Sequence, residues 1–164
     1  EPSGDKKVLI VYFSHTGNTR TIAGYIHDTV KSDLVEIQTA DTYTDDYDTL
    51  LAQIREEVAS GYCPPLTTNI ENLSSYDVIF IGYPIWWYQM PMAMYSFFDK
   101  YDFDGKTIIP FSTHGGSGWS GTLEDIAGLE PNATMVNGYS ISRNNTATSR
   151  DGILNWLQEI GMVE

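Results

Sequence analysis

Continuous apolar stretches recur along the chain, and polar residues rarely interrupt them. The clearest stretches occupy residues 8–13, 78–83 and 107–112. Stretches of this kind are typical of strands buried on both faces, as in a parallel sheet that is covered by helices. A weaker stretch at 133–139 has the same character, whereas residues 34–38 include polar positions and fit an edge strand. The pattern therefore predicts five strands.

Between these stretches, apolar residues recur at the three- and four-residue spacing of an amphipathic helix. The predicted helices span residues 18–31, 47–60, 91–101, 120–129 and 149–161. Strands and helices therefore alternate, which favours an α/β domain with a parallel sheet and right-handed crossovers. Five strands and five helices fit a doubly wound, three-layer sandwich with strand order 2-1-3-4-5.

The length and composition of the chain fit one domain. The chain has 164 residues, of which 41% are hydrophobic and 19% are charged, and this is ordinary for a globular protein. We assign residues 6–164 to a single domain and residues 1–5 to an N-terminal extension or cloning remnant. No apolar run approaches the roughly 20 residues that span a bilayer, and no signal peptide is visible. We expect a cytoplasmic protein, with export after processing as the alternative because the chain does not begin with Met.

The charge and the metal-ligating residues exclude several kinds of partner. Nine Lys and Arg residues against 22 Asp and Glu residues give a net charge of −13, which disfavours nucleic acids and anionic membranes. This charge suits binding to a partner with a basic surface. The alternative interpretation is that the acidic surface is only solvated. Cys63 is the only cysteine, and His15, His27 and His114 lack paired spacing, so we expect no disulfide and no metal site. The oligomeric state stays open.

The loop that follows the first predicted strand, residues 14–19, has the composition of a phosphate site. Gly17 permits a tight turn, and the backbone N–H groups at the start of the next helix favour an anion. Hydroxyl groups of Ser14, Thr16 and Thr19 can add donors. The lysine of a triphosphate-binding loop is missing, which favours a phosphate that anchors a ligand over one that reacts. A simple helix N-cap is the alternative interpretation.

Two further loops follow the third and fourth predicted strands. Residues 83–88 include four aromatic residues, which suit stacking on a flat conjugated ligand. Residues 112–121 include four glycines, which let backbone groups reach the edge of a ligand. The alternatives are an aromatic plug or oligomer contact for the first loop and a flexible lid for the second. Ligands bind beyond the carboxyl ends of parallel strands, so the three loops predict one cleft, for which FMN is the simplest occupant.

The sequence resembles the flavodoxin family over residues 6–161. Residues 14–19 resemble the phosphate motif of that family, which is roughly S/T-x-T-G-x-T. Residues 82–91 and 112–118 resemble the two ring-binding loops of a bacterial branch, and the last strand has no long insertion, as in short-chain members. The resemblance implies the flavodoxin-like fold and FMN as the cofactor.

The resemblance also implies which residues contact FMN. Those expected at the phosphate are Ser14, His15, Thr16, Gly17, Asn18 and Thr19. Those expected along the isoalloxazine ring are Pro84, Ile85, Trp86, Trp87 and Tyr88. Those expected at the other edge of the ring are Thr113, His114, Gly115 and Gly116. One departure is that residues 84–91 contain no glycine, although flavodoxins carry a glycine there whose peptide flips when the ring is reduced. Because a flip to positive φ costs more in other residues, the departure favours two-electron chemistry.

We consider three functions. An electron-transfer protein is the first, because the acidic charge lowers the flavin potential and steers the protein to basic redox partners. An FMN-dependent NAD(P)H:quinone-type oxidoreductase is the alternative. The missing glycine favours it, and His114 would be a proton donor near the ring, but no nicotinamide-binding segment is recognisable. An esterase-type hydrolase is a remote third, because residues 114–116 resemble an esterase oxyanion loop while the nucleophile elbow is missing. We assign no catalytic residue.

Overall fold

The computed structural model describes residues 7–14, 17–39, 46–61, 66–68, 70, 73–85, 89–114, 119, 121–136, 138–142, 145 and 149–162. The strands are β1 (Val8–Tyr12), β2 (Asp33–Glu36), β3 (Val78–Pro84), β4 (Thr107–His114), β5 (Thr134–Met135) and β6 (Tyr139–Ser142). The helices are α1 (Asn18–Thr29), α2 (Tyr47–Ser60), α3 (Met92–Lys100), α4 (Thr122–Leu129) and α5 (Arg150–Glu159). All five predicted helices are therefore present, each within two residues of its expected bounds.

The strands form one parallel sheet in the order β2-β1-β3-β4-β5, with β6 also paired to β4. The predicted order 2-1-3-4-5 is confirmed. β2 lies at an edge next to β1, where Asp33 and Leu34 are exposed, as the polar positions of this strand predicted. The order places β3 between β1 and β4, so the loops after these three strands leave from neighbouring positions on one edge of the sheet.

The fifth position of the sheet is filled by two short strands rather than by one. β5 pairs with Thr107 and Ile108 at the beginning of β4, and β6 pairs with the end of β4 from Phe111 onward. Pro110 lies between these two paired segments of β4 and has no N–H group to donate to a neighbouring strand. Gly138 approaches it closely, because a Cβ there would lie 2.3 Å from the carbonyl oxygen of Pro110. The break therefore follows from the proline in the centre of β4.

The sheet separates two hydrophobic cores, and β1 contributes to both. Leu9 and Val11 pack into the core that includes α3 and Ile126 of α4. Val8 and Ile10 pack into the opposite core, which includes residues of α1 and α5. Burial on both faces is what the continuous apolar pattern predicted. In the described part of the chain, no helix is both long enough and apolar enough to cross a membrane.

Gly82 in β3 lies against the ring of Phe111 in the neighbouring strand. The two residues are register partners, and a Cβ at Gly82 would lie 2.2 Å from Cε2 and Cζ of the phenylalanine. Both residues are buried. The fit between β3 and β4 therefore depends on a position without a side chain.

We predict that Gly82→Ala lowers the free energy of unfolding by about 1–3 kcal/mol or more, because the added methyl group forces Phe111 or the strand to shift. The matched control is Gly24→Ala in α1, where a Cβ meets nothing within 4 Å, and this change is expected to be neutral or stabilising by up to about 1 kcal/mol. Urea denaturation measures both. Equal stability of the two variants would contradict the proposed close contact.

Candidate functional site

The ends of β1, β3 and β4 are joined by backbone hydrogen bonds that extend into the loops. The N–H of Phe13, just after β1, donates to the carbonyl oxygen of Gly82 at 3.0 Å. The N–H of Ile85, just after β3, donates to the carbonyl oxygen of Thr113 at 2.8 Å. Because these bonds continue the parallel ladders, the three loops leave the sheet with their first residues fixed relative to one another.

The described part of the first loop, Ser14 and residues 17–19, turns directly into α1. Gly17 is the N-cap of α1 and is in the left-handed region, with φ 97° and ψ −5°. Among the described residues, a Cβ at this position would meet nothing within 4 Å, so the backbone conformation, rather than crowding by these residues, favours glycine here.

Ser14 provides an oxygen at the N-terminus of α1. Its Oγ accepts hydrogen bonds from the backbone N–H groups of Gly17 at 3.1 Å and Arg20 at 3.3 Å. The alternative interpretation was a simple N-cap by an Asn or Thr side chain, but the residue at the N-cap position is Gly17, and Asn18 and Thr19 lie inside the first turn of the helix. Ser14 therefore acts here as an acceptor for the helix, whereas the sequence suggested only a donor to phosphate.

Thr19 and Thr113 connect the first loop to the third. Their Oγ1 atoms are 2.9 Å apart, and the exposed fractions of the two residues are 1% and 3%. The sequence placed the hydroxyl of Thr19 at the phosphate and Thr113 at the edge of the ring, 94 positions away. The structure brings the two side chains into direct contact. Since the N–H of Ile85 also donates to the carbonyl oxygen of Thr113, one described residue from each of the other two loops contacts Thr113.

Tyr83 anchors the far end of the glycine-rich loop. Its side chain is fully buried, and its hydroxyl donates to Oγ1 of Thr122 at 2.8 Å. The hydroxyl of Thr122 in turn donates to the carbonyl oxygen of Trp119 at 2.8 Å. Tyr83 was counted among the four aromatic residues that could stack on a ligand, but it lies in the core and fixes the start of α4. No feature of the local sequence indicated this role.

Only part of the second and third loops lies within the described residues. Pro84 and Ile85 are half-buried at the end of β3, and His114 is half-buried at the end of β4, where it pairs with Ser142. Seven predicted contact residues lie outside the described residues: His15, Thr16, Trp86, Trp87, Tyr88, Gly115 and Gly116. Cys63 also lies outside them. The stacking function of the aromatic residues stays a prediction.

A cation that no sequence pattern pointed to, Arg20, lies in the first turn of α1. Nη2 of Arg20 is 2.7 Å from Oε2 of Glu36 at the end of β2, and the hydroxyl of Tyr12 donates to Oε1 of the same carboxylate at 3.3 Å. The hydrogen bond to Glu36 raises the pKa of Arg20, and burial raises the pKa of Tyr12. The first turn of α1 is therefore tied to the edge strand by a charged pair.

The comparisons with known proteins agree with the fold. The profile of a family described as flavodoxin matches residues 7–160, which is nearly the whole chain. The chain belongs to the flavodoxin family. The resemblance noted in the sequence is thereby confirmed. No curated protein sequence matches the chain.

Three solved structures show how far the flavodoxin-like fold is shared. A candidate flavoprotein from Bacteroides eggerthii has a TM-score of 0.83 and 31% identity, covering 95% of this chain and 98% of its own. One from Bacteroides uniformis has a TM-score of 0.83 and 32% identity, with 93% and 98% covered. A flavoprotein from Lactobacillus acidophilus, solved in complex with FMN, has a TM-score of 0.70 and 19% identity, with 87% and 97% covered. Because this third structure is only 19% identical to the chain, its similarity supports the fold alone.

We predict that Tyr83 makes the stability of the fold sensitive to alkaline pH. Burial raises the pKa of Tyr83 well above its usual value of 10.0, so the folded protein keeps this proton where an unfolded chain releases it. The stabilisation is complete below pH 10.0 and is lost as the pH rises further, at about 1.4 kcal/mol per pH unit. Tyr83→Phe removes this loss. Urea denaturation between pH 9 and 11.5 should show a steeper decline for the unmodified chain than for the variant, and identical slopes would contradict the prediction.

Proposed function

We propose that this protein binds FMN at the edge where β1, β3 and β4 end, and that it acts in electron transfer. The observation that carries the proposal is the convergence of three loops of distinct chemistry at Thr113, in a chain that belongs to the flavodoxin family. The FMN complex of the flavoprotein from Lactobacillus acidophilus, which shares the fold, supports the choice of ligand.

The described residues of the first loop fit a phosphate monoester. Ser14 already holds an oxygen atom within hydrogen-bond distance of two backbone N–H groups at the N-terminus of α1, and a phosphate oxygen is bound in the same way at helix N-termini. A Cβ at the left-handed Gly17 would contact none of the described residues. The positive end of the helix dipole lies at the same turn. A dianionic anchor would replace or join the Ser14 oxygen at these N–H groups.

The proposed contacts divide between the two ends of the ligand. The described residues proposed for the phosphate are Ser14, Gly17, Asn18 and Thr19, and those proposed for the ring are Pro84, Ile85 and His114. FMN supplies the redox chemistry when it is bound. The task of the chain is to anchor the phosphate, to hold the ring at the sheet edge and to keep water from one face of it.

The charge of the protein favours an electron carrier. A net charge of −13 disfavours the additional negative charge of a reduced flavin and attracts a redox partner with a basic surface. Long-range attraction of this kind is screened by salt. We therefore expect transfer of electrons from the loaded protein to a basic acceptor, with cytochrome c as the probe, to slow at least about tenfold between low and physiological ionic strength.

An FMN-dependent NAD(P)H:quinone oxidoreductase is the second candidate function. The absence of glycine from residues 84–91 favours it, because a peptide flip beside the ring is then harder. Rapid oxidation of NADH or NADPH with a quinone as acceptor, together with salt-insensitive reduction of cytochrome c, would select the enzyme over the carrier. The opposite pair of results selects the carrier.

The phosphate site is tested with FMN and riboflavin, which differ only in the phosphate. We predict that FMN binds at least about tenfold more tightly than riboflavin, because the charged hydrogen bonds at the N-terminus of α1 are made only by FMN. Gly17→Ala should weaken FMN binding about tenfold, since a non-glycine residue at φ 97° is strained by about 1–2 kcal/mol.

Quenching of flavin fluorescence gives both affinities for each variant. Gly24→Ala, in the same helix, is the control and should bind both flavins as the unmodified protein does. Equal affinities of the unmodified protein for FMN and riboflavin would contradict the phosphate site. A protein that binds neither flavin would contradict the proposed function as a whole.

A further inference from the structure

The hydroxyl groups of Thr19 and Thr113 carry two protons, and the hydrogen bond between them needs only one. Each threonine hydroxyl carries one proton and can accept up to two hydrogen bonds. The Oγ1 atoms are 2.9 Å apart, and either can be the donor. Within the part of the chain that the structure describes, neither hydroxyl makes a hydrogen bond to any other group. One of the two protons is consumed by the contact, and the other is left to donate elsewhere.

Burial makes the second proton significant. Thr19 is 1% exposed and Thr113 is 3% exposed, so bulk water does not readily reach the pair. A buried hydroxyl group without an acceptor is costly, and native proteins rarely leave one in that state. The acceptor is therefore expected from a ligand or from the loop beside the pair. Thr19 lies in the first turn of α1, two residues after the left-handed Gly17, so it is the member of the pair on the phosphate side.

We propose that Thr113 is a positioning residue for the phosphate: its hydroxyl donates to Thr19, and the hydroxyl of Thr19 then donates to a phosphate oxygen. This inference rests on the proposed function, which places FMN at the edge of the sheet. It assigns the side chain of Thr113 to the phosphate end of the ligand, whereas the sequence assigned that residue to the ring.

An anion determines the direction of the chain of hydrogen bonds. A phosphate oxygen can only accept from Thr19, so the proton of Thr19 is used there and the proton between the two threonines must come from Thr113. Hydrogen bonds in such a chain polarise one another, and each becomes stronger in a buried environment. Removal of the Thr113 hydroxyl should therefore weaken phosphate binding although that hydroxyl makes no contact with the phosphate.

Substitutions that keep the shape of the side chain isolate the hydroxyl group. Thr113→Val replaces the hydroxyl with a methyl group, and we expect it to weaken the binding of FMN and of inorganic phosphate by about three- to tenfold. Thr113→Ser restores the hydroxyl and should restore most of the affinity. The loss in Thr19→Val should be larger, at about tenfold or more, because that hydroxyl meets the charged group directly.

The double variant shows whether the two residues act in series. In the Thr19→Val background, Thr113→Val should cause no further loss of phosphate affinity, because its effect passes through Thr19. Ser112→Ala is a matched control, since Ser112 precedes Thr113 in β4, is 1% exposed and pairs its hydroxyl with that of Ser140 at 3.0 Å. This control should leave the affinity for phosphate unchanged.

Titration calorimetry with inorganic phosphate and fluorescence titration with FMN and riboflavin measure these affinities, and thermal denaturation confirms that each variant is folded. The proposal is supported if Thr113→Val weakens phosphate and FMN alike, leaves riboflavin binding unchanged and has no effect in the Thr19→Val background. It is overturned if Thr113→Val weakens riboflavin instead, which would place the residue at the ring, or if phosphate binding does not change.

The outcomes also separate this proposal from the proposed function. If the unmodified protein binds inorganic phosphate but not FMN, the flavin function fails and the hydrogen-bond chain is still tested by the phosphate titration. If it binds FMN and Thr113→Val binds FMN equally well, the function stands and the positioning role fails. If it binds neither ligand, both proposals fail.

Discussion

The pairing of β3 with both β1 and β4 is the constraint on which the rest of the structure depends. Parallel pairing brings the carboxyl ends of the three strands to one edge, and the hydrogen bonds from Phe13 to Gly82 and from Ile85 to Thr113 carry the alignment into the loops. Gly82 allows Phe111 to lie against the backbone of β3. The geometry of the candidate site is therefore a consequence of how the strands pair, because the pairing fixes where each loop begins.

Local patterns in the sequence were enough to predict most of the helices and strands. The continuous apolar stretches and the helical spacing predict the strands and helices, because the spacing of apolar residues depends directly on whether one or both faces are buried. The bounds of α2, Tyr47–Ser60, coincide with the apolar repeat. The position of Gly17 at the start of α1 was also foreseeable, since a left-handed turn before a helix selects glycine. The division of the last strand was not, because the effect of Pro110 depends on which strand lies beside it.

Contacts across the sheet were beyond the reach of local patterns. The contact between Thr19 and Thr113 joins positions 94 residues apart, and it depends on the register of β3 and β4. Tyr83 is an aromatic residue suited to stacking, but it is buried in the core, where its hydroxyl donates a hydrogen bond to Oγ1 of Thr122. The pairing of Arg20 with Glu36 likewise requires β2 to lie next to β1. In each case the residue type was visible in the sequence, whereas the partner was set by the topology.

Amide NMR during an FMN titration tests most directly whether the three loops form one site for FMN. We predict that the largest chemical-shift changes fall together on residues 14–20, Ile85 and residues 113–114, and that they saturate at one equivalent of FMN. The same titration with riboflavin should move the signals of Ile85 and residues 113–114 more than those of residues 14–20. Changes confined to one of the three loops, or centred away from this edge of the sheet, would contradict a single FMN site.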